Sequence, residues 1–468
     1  MSTRTSDGTT EETAPASTDA AARTSRPARG AELELTIDSL AYGGAGVARL
    51  DGYVVFVQGG MPGDRLRAQV GKAKRAYAEA RATEILEPGP DRIAPAADHP
   101  GAPWQVLRYE RQLEVKQAQV AEALTRLGGL EGFVVEPIVA ASQTWRYRNK
   151  LEYSFGIDAG RLICGFHAPG RWDEIVEVRD CLLASEAANA VRERVVGWCR
   201  AQGLIPHDRS TGAGQLRNLV VREGRRTGQL QVRLVTAPGA LDAAALAAAA
   251  DCDGVLWTRS SSAGETTAGG ETELVSGADY LDEEIGGIRV RISPEAFFQT
   301  NTEMAEQLYG IAVDRAQLSG FERVYDLYCG IGTIGLLMAP RAAELWGLEV
   351  VPAAVADAIS NASLNEIDGV HFFAGDVRLA LSELVSKAGR PDVLVVDPPR
   401  AGLSQKIVRR IIEAAPRRIV YVSCNPTTLA PNAAQLVQAG YTLDRVQPVD
   451  MFPQTPHIEC VAVLDRAR

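Results

Sequence analysis

The sequence predicts an α/β protein in which a doubly wound, parallel sheet follows a small β-barrel and a mixed α+β region. The sheet is predicted because apolar strands alternate with glycine turns and helices from about Ser293 to the C-terminus. The barrel is predicted because five short alternating runs, separated by glycine-rich turns, follow one another from Glu32. Between these two regions, strand-like runs mix with an alanine-rich helix, and no internal repeat is seen.

The composition favours a protein of the reducing cytoplasm. Of the 468 residues, 46% are hydrophobic, which is enough for two or three domains with cores of their own. The seven cysteines are scattered without CxxC pairs, which argues against a secreted disulfide framework. No apolar run reaches the length of a membrane span, and the N-terminus lacks a signal-peptide pattern. We therefore expect a cytoplasmic protein with no membrane contact and no obligate protein partner.

The N-terminal region is predicted to be a disordered tail over residues 1–30, followed by the barrel over residues 31–89. The tail consists of small and polar residues that cannot bury enough apolar surface to offset the entropy of ordering. Within the barrel, the stretch "DRLRAQVGKAKRAYAEAR" sets six basic residues against Asp64 and Glu79. The basic residues are Arg65, Arg67, Lys72, Lys74, Arg75 and Arg81. Although the net charge of −10 disfavours a nucleic-acid partner, phosphate binding depends on local patches. This stretch is either a phosphate-binding surface or a solvated strand and turn.

The predicted central domain covers residues 90–292 and begins with a proline-rich connector. A helix is predicted over residues 106–128, because apolar side chains recur at helical spacing up to a Gly-Gly stop, and this helix is a candidate to pack on the C-terminal domain. These side chains are Tyr109, Leu113, Val120, Leu124 and Leu127. A second, alanine-rich helix is predicted over residues 240–250, and "SSSAGETTAGGETE" is predicted to be a mobile loop.

A glycine-rich turn, "DLYCGIGTIGL", opens the predicted parallel sheet. Its glycines allow the backbone to approach a ligand closely, and the next strand ends in Glu349, an acid placed to accept both hydroxyls of a ribose. Dinucleotide sites and S-adenosyl-L-methionine (SAM) sites share these two features. The preceding Asp326-Leu327-Tyr328, the later Asp376 where an adenine-contacting acid is expected, and a final DPP element resemble class I SAM methyltransferases. That resemblance implies a Rossmann-like methyltransferase domain over residues 293–468.

The DPP element, Asp397-Pro398-Pro399, raises the question of which atom of a base is methylated. It resembles the [DN]PP[YF] motif of amino-methyltransferases, but Arg400 stands where those enzymes have an aromatic residue, which argues against an amine target. Cys424 follows the apolar run "IVYV" one strand later and should face the same crevice. Carbon-5 of a pyrimidine becomes nucleophilic only after addition at carbon-6, and a thiolate is suited to that addition.

Methylation at carbon-5 also needs a base that removes the carbon-5 proton. "PQTPHIECVAVL" offers His457 and Glu459, which would share one face of a regular strand. Cys460 would then point to the opposite face, into the core.

Together, "SPEAFFQTN", "DLYCGIGTIGL", "DPPRAGL", "SCNPTTLA" and "HIEC" resemble the RumA/TrmA-type RNA (uracil-5-)-methyltransferase family. "WRYRNKLEYSF" resembles that family's central domain, and "GGAGVARLDGYVVFVQGGMPGDRLRAQV" resembles a TRAM domain, an OB-like RNA-binding barrel. The resemblance implies methylation of a uridine in tRNA or 23S rRNA, with SAM as cofactor. It implies Cys424 as nucleophile and Glu459 as proton acceptor. It implies SAM contacts from Gln299, Tyr328, Thr333, Glu349 and Asp397.

One departure from the family concerns an iron–sulfur cluster. Many members carry CxxxxxCGGC before the first helix, but "DHPGAPWQVLRYERQLEVKQ" has no cysteine, and only Cys181 remains where a fourth ligand would lie. One thiolate cannot hold a four-iron cluster. We predict no metal, no cluster and a buried Cys181.

Two other functions fit parts of the sequence less well. RNA cytosine-5 methyltransferases also use a thiolate, but "SCNPTTL" and the terminal "HIE" differ from their P-C-S or T-C-S contexts. A catalytically inactive RNA-binding protein is disfavoured because every catalytic position is filled. The sequence does not identify the target RNA, because no code is readable in the barrel or the central domain.

Overall fold

The computed structural model describes residues 26–467 except Ala263 and Glu265, so most of the tail predicted over residues 1–30 lies outside the described residues. The chain forms two compact units. The first contains residues up to Leu40 and Ala45–Gly89, and the second contains Ala41–Gly44 and everything from Pro90 onward. No helix in the described part of the chain is both long enough and apolar enough to cross a membrane.

The first unit is a six-stranded, mostly antiparallel sheet whose strand order is β1-β5-β6-β4-β3-β2. Its strands are β1 (Glu32–Thr36), β2 (Ser39–Leu40), β3 (Gly46–Leu50), β4 (Tyr53–Gln58), β5 (Arg65–Ala73) and β6 (Tyr77–Glu87). The sequence predicted five strands, and the structure has six. The run "LELTIDSL", which was predicted as one strand, forms two strands with different pairing partners. β1 pairs with β5, whereas β2 pairs with β3. Ile37 lies at the change and is buried in the core of this unit.

The basic stretch of this unit is partly neutralised by acids from neighbouring strands. Arg65 pairs with Glu87 at 2.8 Å, and Arg67 pairs with Glu84 at 2.6 Å. Both arginines also contact Glu34. Only Asp64 and Glu79 lie within the basic stretch itself. The other acids come from distant sequence positions and reach the arginines through strand pairing, so the sequence did not reveal them.

The second unit begins with α1 (Tyr109–Glu122), which continues as a π-helical turn, Ala123–Leu127, and is followed by the short strand β7 (Val134–Val135). The wider turn is closed by the Gly128 N–H, which donates to the Ala123 carbonyl. It turns Leu127 off the apolar face, and the Leu127 side chain is 60% exposed. Leu127 belongs to the apolar pattern by which the helix was predicted, but the π-helical turn leaves it exposed.

The central part of the second unit is a seven-stranded sheet with the order β10-β9-β8-β11-β12-β13-β14. Its strands are β8 (Lys150–Asp158), β9 (Arg161–Ala168), β10 (Arg171–Glu177), β11 (Leu216–Glu223), β12 (Leu230–Thr236), β13 (Gly254–Arg259) and β14 (Glu271–Gly277). The helices α2 (Glu186–Ala201) and α3 (Ala243–Ala250) contribute to its core. α3 begins later than predicted because the Asp242 carboxylate caps it at the Ala245 N–H. A hairpin of β15 (Leu281–Ile285) and β16 (Ile288–Ile292) follows.

The C-terminal part is the predicted doubly wound sheet, with the order β19-β18-β17-β20-β21-β23-β22-β7. Its strands are β17 (Arg323–Leu327), β18 (Glu344–Glu349), β19 (Val370–Ala374), β20 (Val393–Val396), β21 (Arg418–Ser423), β22 (Tyr441–Val449) and β23 (Glu459–Arg466). Its helices are α4 (Thr302–Ala316), α5 (Thr333–Met338), α6 (Pro352–Leu364), α7 (Val377–Ala388), α8 (Gln405–Ala414) and α9 (Pro426–Gln438). Two apolar cores include buried residues of this sheet and its helices.

The direction of the strands concentrates polar residues at one edge of this sheet. β17, β18, β20 and β21 are parallel, so their carboxyl ends meet at that edge. β23 is antiparallel to β21, and it therefore begins at the edge where β21 ends. The α/β fold predicted from the sequence is confirmed, and the candidate site lies along this edge.

Candidate active site

The glycine-rich turn between β17 and α5 is built from left-handed backbone. Tyr328, Gly330 and Gly332 have φ values of 63°, 55° and 85°. A Cβ at Gly332 would lie 3.1 Å from both Ala358 Cβ and the Phe372 ring, so this position has little space for a side chain. The turn leaves backbone groups open to a ligand at the N-terminus of α5, where Thr333 begins the helix.

Glu349 ends β18 directly beside this turn. Its carboxylate accepts hydrogen bonds from the Gly330 N–H at 3.1 Å and from the Val351 N–H at 3.0 Å. One bond falls on each oxygen, and further lone pairs remain for two donors such as the hydroxyls of a ribose. The turn and this acid therefore fit the nucleoside part of a cofactor.

Asp376, the acid expected near an adenine, bonds neighbouring groups of its own helix. Its carboxylate caps α7 by accepting from the Arg378 N–H at 2.8 Å, and it pairs with the Arg378 guanidinium. These two interactions lower the pKa of Asp376 to about 2. A contact with adenine stays a prediction.

Gln299 lies in the segment that precedes α4, and its backbone is held from the central sheet. The Asn149 side chain donates to the Gln299 carbonyl at 2.8 Å. Arg222 of β11 donates to the Ala296 carbonyl at 2.7 Å and also contacts the Ser293 carbonyl. This support leaves Phe297 69% exposed, two residues before Gln299. Sequence reasoning did not single out Phe297, because the pair "FF" does not tell which ring is buried.

Asp397, Cys424 and Glu459 are brought to adjoining strand ends. Asp397 follows β20, Cys424 follows β21, and Glu459 begins β23. Ser423 of β21 pairs with Cys460 of β23. One position closer to the sheet edge, the chain that leaves β21 reaches Cys424, and β23 begins with Glu459. The sequence predicted that Asp397 and Cys424 would share a crevice, and the strand order agrees.

Burial and like charges raise the pKa values of these three groups. Burial raises the pKa of Asp397 to about 7. Burial and the Asp397 charge raise the pKa of Glu459 well above its usual value. Burial, Glu459 and Asp397 together raise the pKa of the Cys424 thiol to about 11, and the positive charge of Arg400 acts in the opposite direction. At neutral pH the Cys424 thiol is protonated, and Asp397 can exchange a proton near neutrality.

Glu459 is suited to accept a proton from a ligand. Its side chain is 3% exposed, and its Oε2 atom has no hydrogen-bond partner among the residues that the structure describes. A buried carboxylate oxygen without a donor is a strong acceptor for a proton. The expected role of Glu459 stays a prediction at this point.

His457 differs from the sequence expectation. β23 begins at Glu459, so His457 lies before the strand and does not share a strand face with Glu459. The expectation of a shared strand face applied to a regular strand through both residues, and that condition is not met because the chain enters β23 from a loop. The His457 ring contacts the Arg400 guanidinium. Burial and Arg400 lower the pKa of His457 to about 4, so the imidazole is neutral at pH 7.

Two further residues complete the surroundings of Cys424. Cys460 is buried, and its thiol lies 3.6 Å from the Ser423 carbonyl oxygen. The Tyr42 hydroxyl, in the Ala41–Gly44 segment of the second unit, donates to the Cys424 carbonyl at 3.3 Å. Sequence reasoning missed Tyr42, because it stands in a stretch that was interpreted only as a barrel turn.

Cys181 and its surroundings lie apart from this edge in the central core. Cys181 is fully buried, and its sulfur lies 3.2 Å from Nε2 of His99. Among the described residues, no group of three or more His, Cys, Asp and Glu side chains is placed to hold a metal ion. The absence of a cluster stays a prediction.

Comparison with known families gives two matches on this chain. Residues 269–467 match the family described as tRNA (Uracil-5-)-methyltransferase, and residues 27–83 match the TRAM domain. A protein of Halalkalibacterium halodurans named an uncharacterized RNA methyltransferase is 38% identical over 443 residues, which cover 92% of this chain and 96% of the relative. A protein of Chlorobaculum tepidum with the same description is 39% identical and covers 89% of this chain and 92% of the relative.

A solved structure is also similar over almost the whole chain. It is the crystal structure of the tRNA (uracil-54, C5)-methyltransferase of Pyrococcus abyssi in complex with S-adenosyl-L-homocysteine. The TM-score is 0.75 at 29% sequence identity, and the match covers 92% of this chain and 100% of that chain. The similarity extends through the barrel, the central domain and the sheet whose edge carries Cys424 and Glu459.

Proposed function

Since the chain belongs to the RNA (uracil-5-)-methyltransferase family and uses SAM, we propose that it methylates a uridine in structured RNA through a covalent bond from Cys424 to carbon-6. The observation that carries this proposal is the adjacency of Cys424 and Glu459 at the sheet edge that also carries the glycine turn. The Cys424 thiol is suited to addition to carbon-6 of the uracil ring, and the Glu459 carboxylate is suited to removal of the proton from carbon-5. The cytosine-5 alternative is set aside because the matching family acts on uracil.

The first role is that of Cys424 as nucleophile. Its thiol, which is partly exposed, loses its proton to solvent, and the sulfur bonds to carbon-6 of the uracil ring while the electrons of the C5=C6 double bond move toward carbon-4 as an enolate. Arg400 is the positive group whose charge favours the thiolate. SAM supplies the electrophilic methyl group when it is bound, and carbon-5 of the enolate takes it up.

The second role is that of Glu459 as base. The methylated adduct still carries a hydrogen on carbon-5. Glu459 removes this hydrogen as a proton, the C5=C6 double bond reforms, and the Cys424 thiolate leaves carbon-6. The partner-free Oε2 atom and the raised pKa of Glu459 support this role, because a raised pKa makes a carboxylate a stronger base.

The cofactor residues carried over from the family are consistent with the geometry. Glu349 would accept the ribose hydroxyls of SAM, and the turn at Tyr328 and Thr333 lies beside it. Gln299 and Asp397 are the other two residues that the family resemblance assigns to SAM, and Asp397 follows β20 at the same sheet edge. Phe297 is exposed close to Gln299 and can stack on a base taken out of an RNA loop.

We propose a tRNA or rRNA uridine as the substrate, and the tRNA named in both the matching family and the similar crystal structure makes tRNA the first to test. Mapping 5-methyluridine by mass spectrometry in tRNA and rRNA, from cells with and without this protein, identifies the target. One uridine should lose its methyl group in the deletion strain and regain it with the purified protein. Retention of every 5-methyluridine in the deletion strain would argue against the proposed activity.

The covalent mechanism is tested with RNA that contains 5-fluorouridine, whose fluorine cannot leave as a proton does. The protein should form an adduct with this RNA that survives denaturing electrophoresis, and Cys424→Ala should form none and lose turnover. Cys252→Ala is the matched control, since Cys252 lies in the central sheet region and should behave like the unchanged protein. Appreciable turnover by Cys424→Ala would show that the proposed mechanism is wrong.

A further inference from the structure

The loop that precedes Glu459 is held by hydrogen bonds from other segments of the chain. It runs from Asp450 to Ile458 between β22 and β23, and Val449 pairs with Glu459 at its base. The position of Glu459 therefore depends on the conformation of this loop and on its pairing with Val449.

Four consecutive carbonyls of the loop accept hydrogen bonds from donors elsewhere in the chain. The donors are Asn301 to Met451 at 2.9 Å, Lys116 to Phe452 at 3.0 Å, Tyr147 to Pro453 at 3.0 Å and the Trp104 N–H to Gln454 at 2.9 Å. A loop usually leaves its backbone groups to water. Here donors on several other segments impose the loop conformation.

The start of the loop is fixed by a buried ion pair with α1. Lys116 and Asp450 are both fully buried, with 2.6 Å between Nζ and Oδ1. The Tyr109 hydroxyl donates to the other carboxylate oxygen at 2.8 Å. Burying two charges costs solvation free energy that their attraction only partly returns, so such a pair is weak support for stability. It does fix the direction in which the chain leaves β22.

The middle of the loop is fixed by two amide side chains. Gln112 donates to Oε1 of Gln454 at 2.8 Å, and its own Oε1 accepts from the Gln454 backbone N–H at 2.9 Å. Gln112 is fully buried, and it also donates to the Trp104 and Leu107 carbonyls. Gln454 has a φ of 65°, a left-handed conformation that costs free energy in a residue other than glycine. The pairing with Gln112 therefore holds a strained residue close to Glu459.

We propose that Gln112 is a positioning residue for proton removal, because its pairing with Gln454 holds the loop that sets Glu459. Lys116 and Asp450 anchor the same loop at its start. This inference rests on the proposed role of Glu459. A proton transfer requires the base within hydrogen-bond reach of the proton, so a small displacement of the loop slows that step more than the earlier ones.

The test compares three variants with the unchanged protein. Gln112→Leu removes the paired amide. Gln117→Leu is the matched control, because Gln117 lies on the same helix and its side chain accepts from the Ile138 N–H at 2.7 Å rather than bonding a residue of the loop. Gln454→Gly removes the acceptor of the Gln112 amide at a position where glycine relieves backbone strain, so this variant should fold even if Gln112→Leu does not.

Two rates are measured with target RNA: transfer of a labelled methyl group in a single turnover, and release of methylated RNA from the covalent complex. Gln112→Leu and Gln454→Gly should keep methyl transfer within about threefold but slow release by about tenfold or more, so that methylated complex accumulates. Gln117→Leu should release at the rate of the unchanged protein. Release by both test variants at the control rate, or equal slowing of both steps, would overturn the inference.

Glu459→Gln, measured in parallel, separates this inference from the proposed function. If Glu459→Gln traps the methylated complex and the Gln112 and Gln454 variants do not, only the positioning role is wrong. If Glu459→Gln fails to trap it, the assignment of the base is wrong, and the positioning role is overturned with it.

Discussion

Cys424 and Glu459 lie at the adjoining ends of two antiparallel strands, one step beyond the pair formed by Ser423 and Cys460. This register places a nucleophile and an acid at one edge although 35 positions of sequence separate them. It also raises the pKa of both groups, because each is buried and each senses other acids nearby. Glu459, the proposed base for the last step, therefore also raises the pKa of Cys424, whose thiol must ionise in the first step.

The reactivity of Cys424 should therefore depend on pH in an unusual way. An ordinary thiol is half ionised at its pKa of about 8.5 and approaches full reactivity about one pH unit higher. The Cys424 thiol, with a pKa of about 11, should instead react about tenfold faster for each pH unit up to about pH 10. Alkylation by iodoacetamide, followed by mass spectrometry of the Cys424 peptide in the RNA-free protein, measures this. Arg400→Leu should slow alkylation further, since Arg400 lowers the pKa of Cys424. A plateau below about pH 9 would contradict the raised pKa.

RNA binding by the barrel should depend on the end of β5 and the turn after it. Arg65 and Arg67 pair closely with glutamates, whereas Lys72 lies 3.9 Å from Glu79, so Lys72, Lys74 and Arg75 are the better candidates for phosphate contacts. Changing these three to Gln should weaken binding to all RNAs alike. The slope of log affinity against log salt should shrink by about one for each phosphate that the variant no longer neutralises.

The control for this prediction removes three other positive charges. Arg126, Lys387 and Arg409 each pair with a glutamate on the same helical segment, and changing them to Gln makes the same change in net charge. This variant should keep the salt slope of the unchanged protein. If both variants have the same slope, Lys72, Lys74 and Arg75 belong to a solvated surface.

The protein purified without oxygen should contain no stoichiometric iron and show no charge-transfer absorbance. A four-iron cluster needs four ligands, and the stretch before α1 provides no cysteine. Iron analysis and the visible spectrum check this. Iron near four atoms per chain would contradict the prediction and direct a search for ligands to Cys164, Cys181, Cys199 and Cys252.

The sequence allowed the sheet and most of its edge to be predicted. Strands of β-branched residues that end in "DPP" and "SCNP" predict where Asp397 and Cys424 lie, because parallel strands share a carboxyl edge. The register between β21 and β23 could not be predicted, since an antiparallel last strand looks like any other apolar run. The loop before β23 could not be predicted either, and it keeps His457 off the strand face of Glu459.

Other features depend on contacts between distant segments. The pairing of Gln112 with Gln454 joins residues 342 positions apart, and a single amide in a helix gives no sign of its partner. The pairing of Arg65 with Glu87 depends on the register of β5 against β6. Tyr42 reaches the Cys424 carbonyl from a segment whose local pattern predicts only a turn. Local periodicity carries no information on such pairs.

Glu459 is the proposed base that removes the carbon-5 proton after methyl transfer. Glutamine cannot accept that proton, whereas the Cys424 adduct and the uptake of the methyl group do not need it. His457 is the rival base, but its imidazole is held against Arg400, and His457→Ala should still release its product.

The most direct measurement is denaturing electrophoresis of each variant after reaction with labelled SAM and target RNA, with mass spectrometry of the retained band. Glu459→Gln should accumulate a protein–RNA complex that carries the labelled methyl group, and His457→Ala should not. A methylated complex trapped by His457→Ala, together with free turnover by Glu459→Gln, would contradict the account and assign the base to His457.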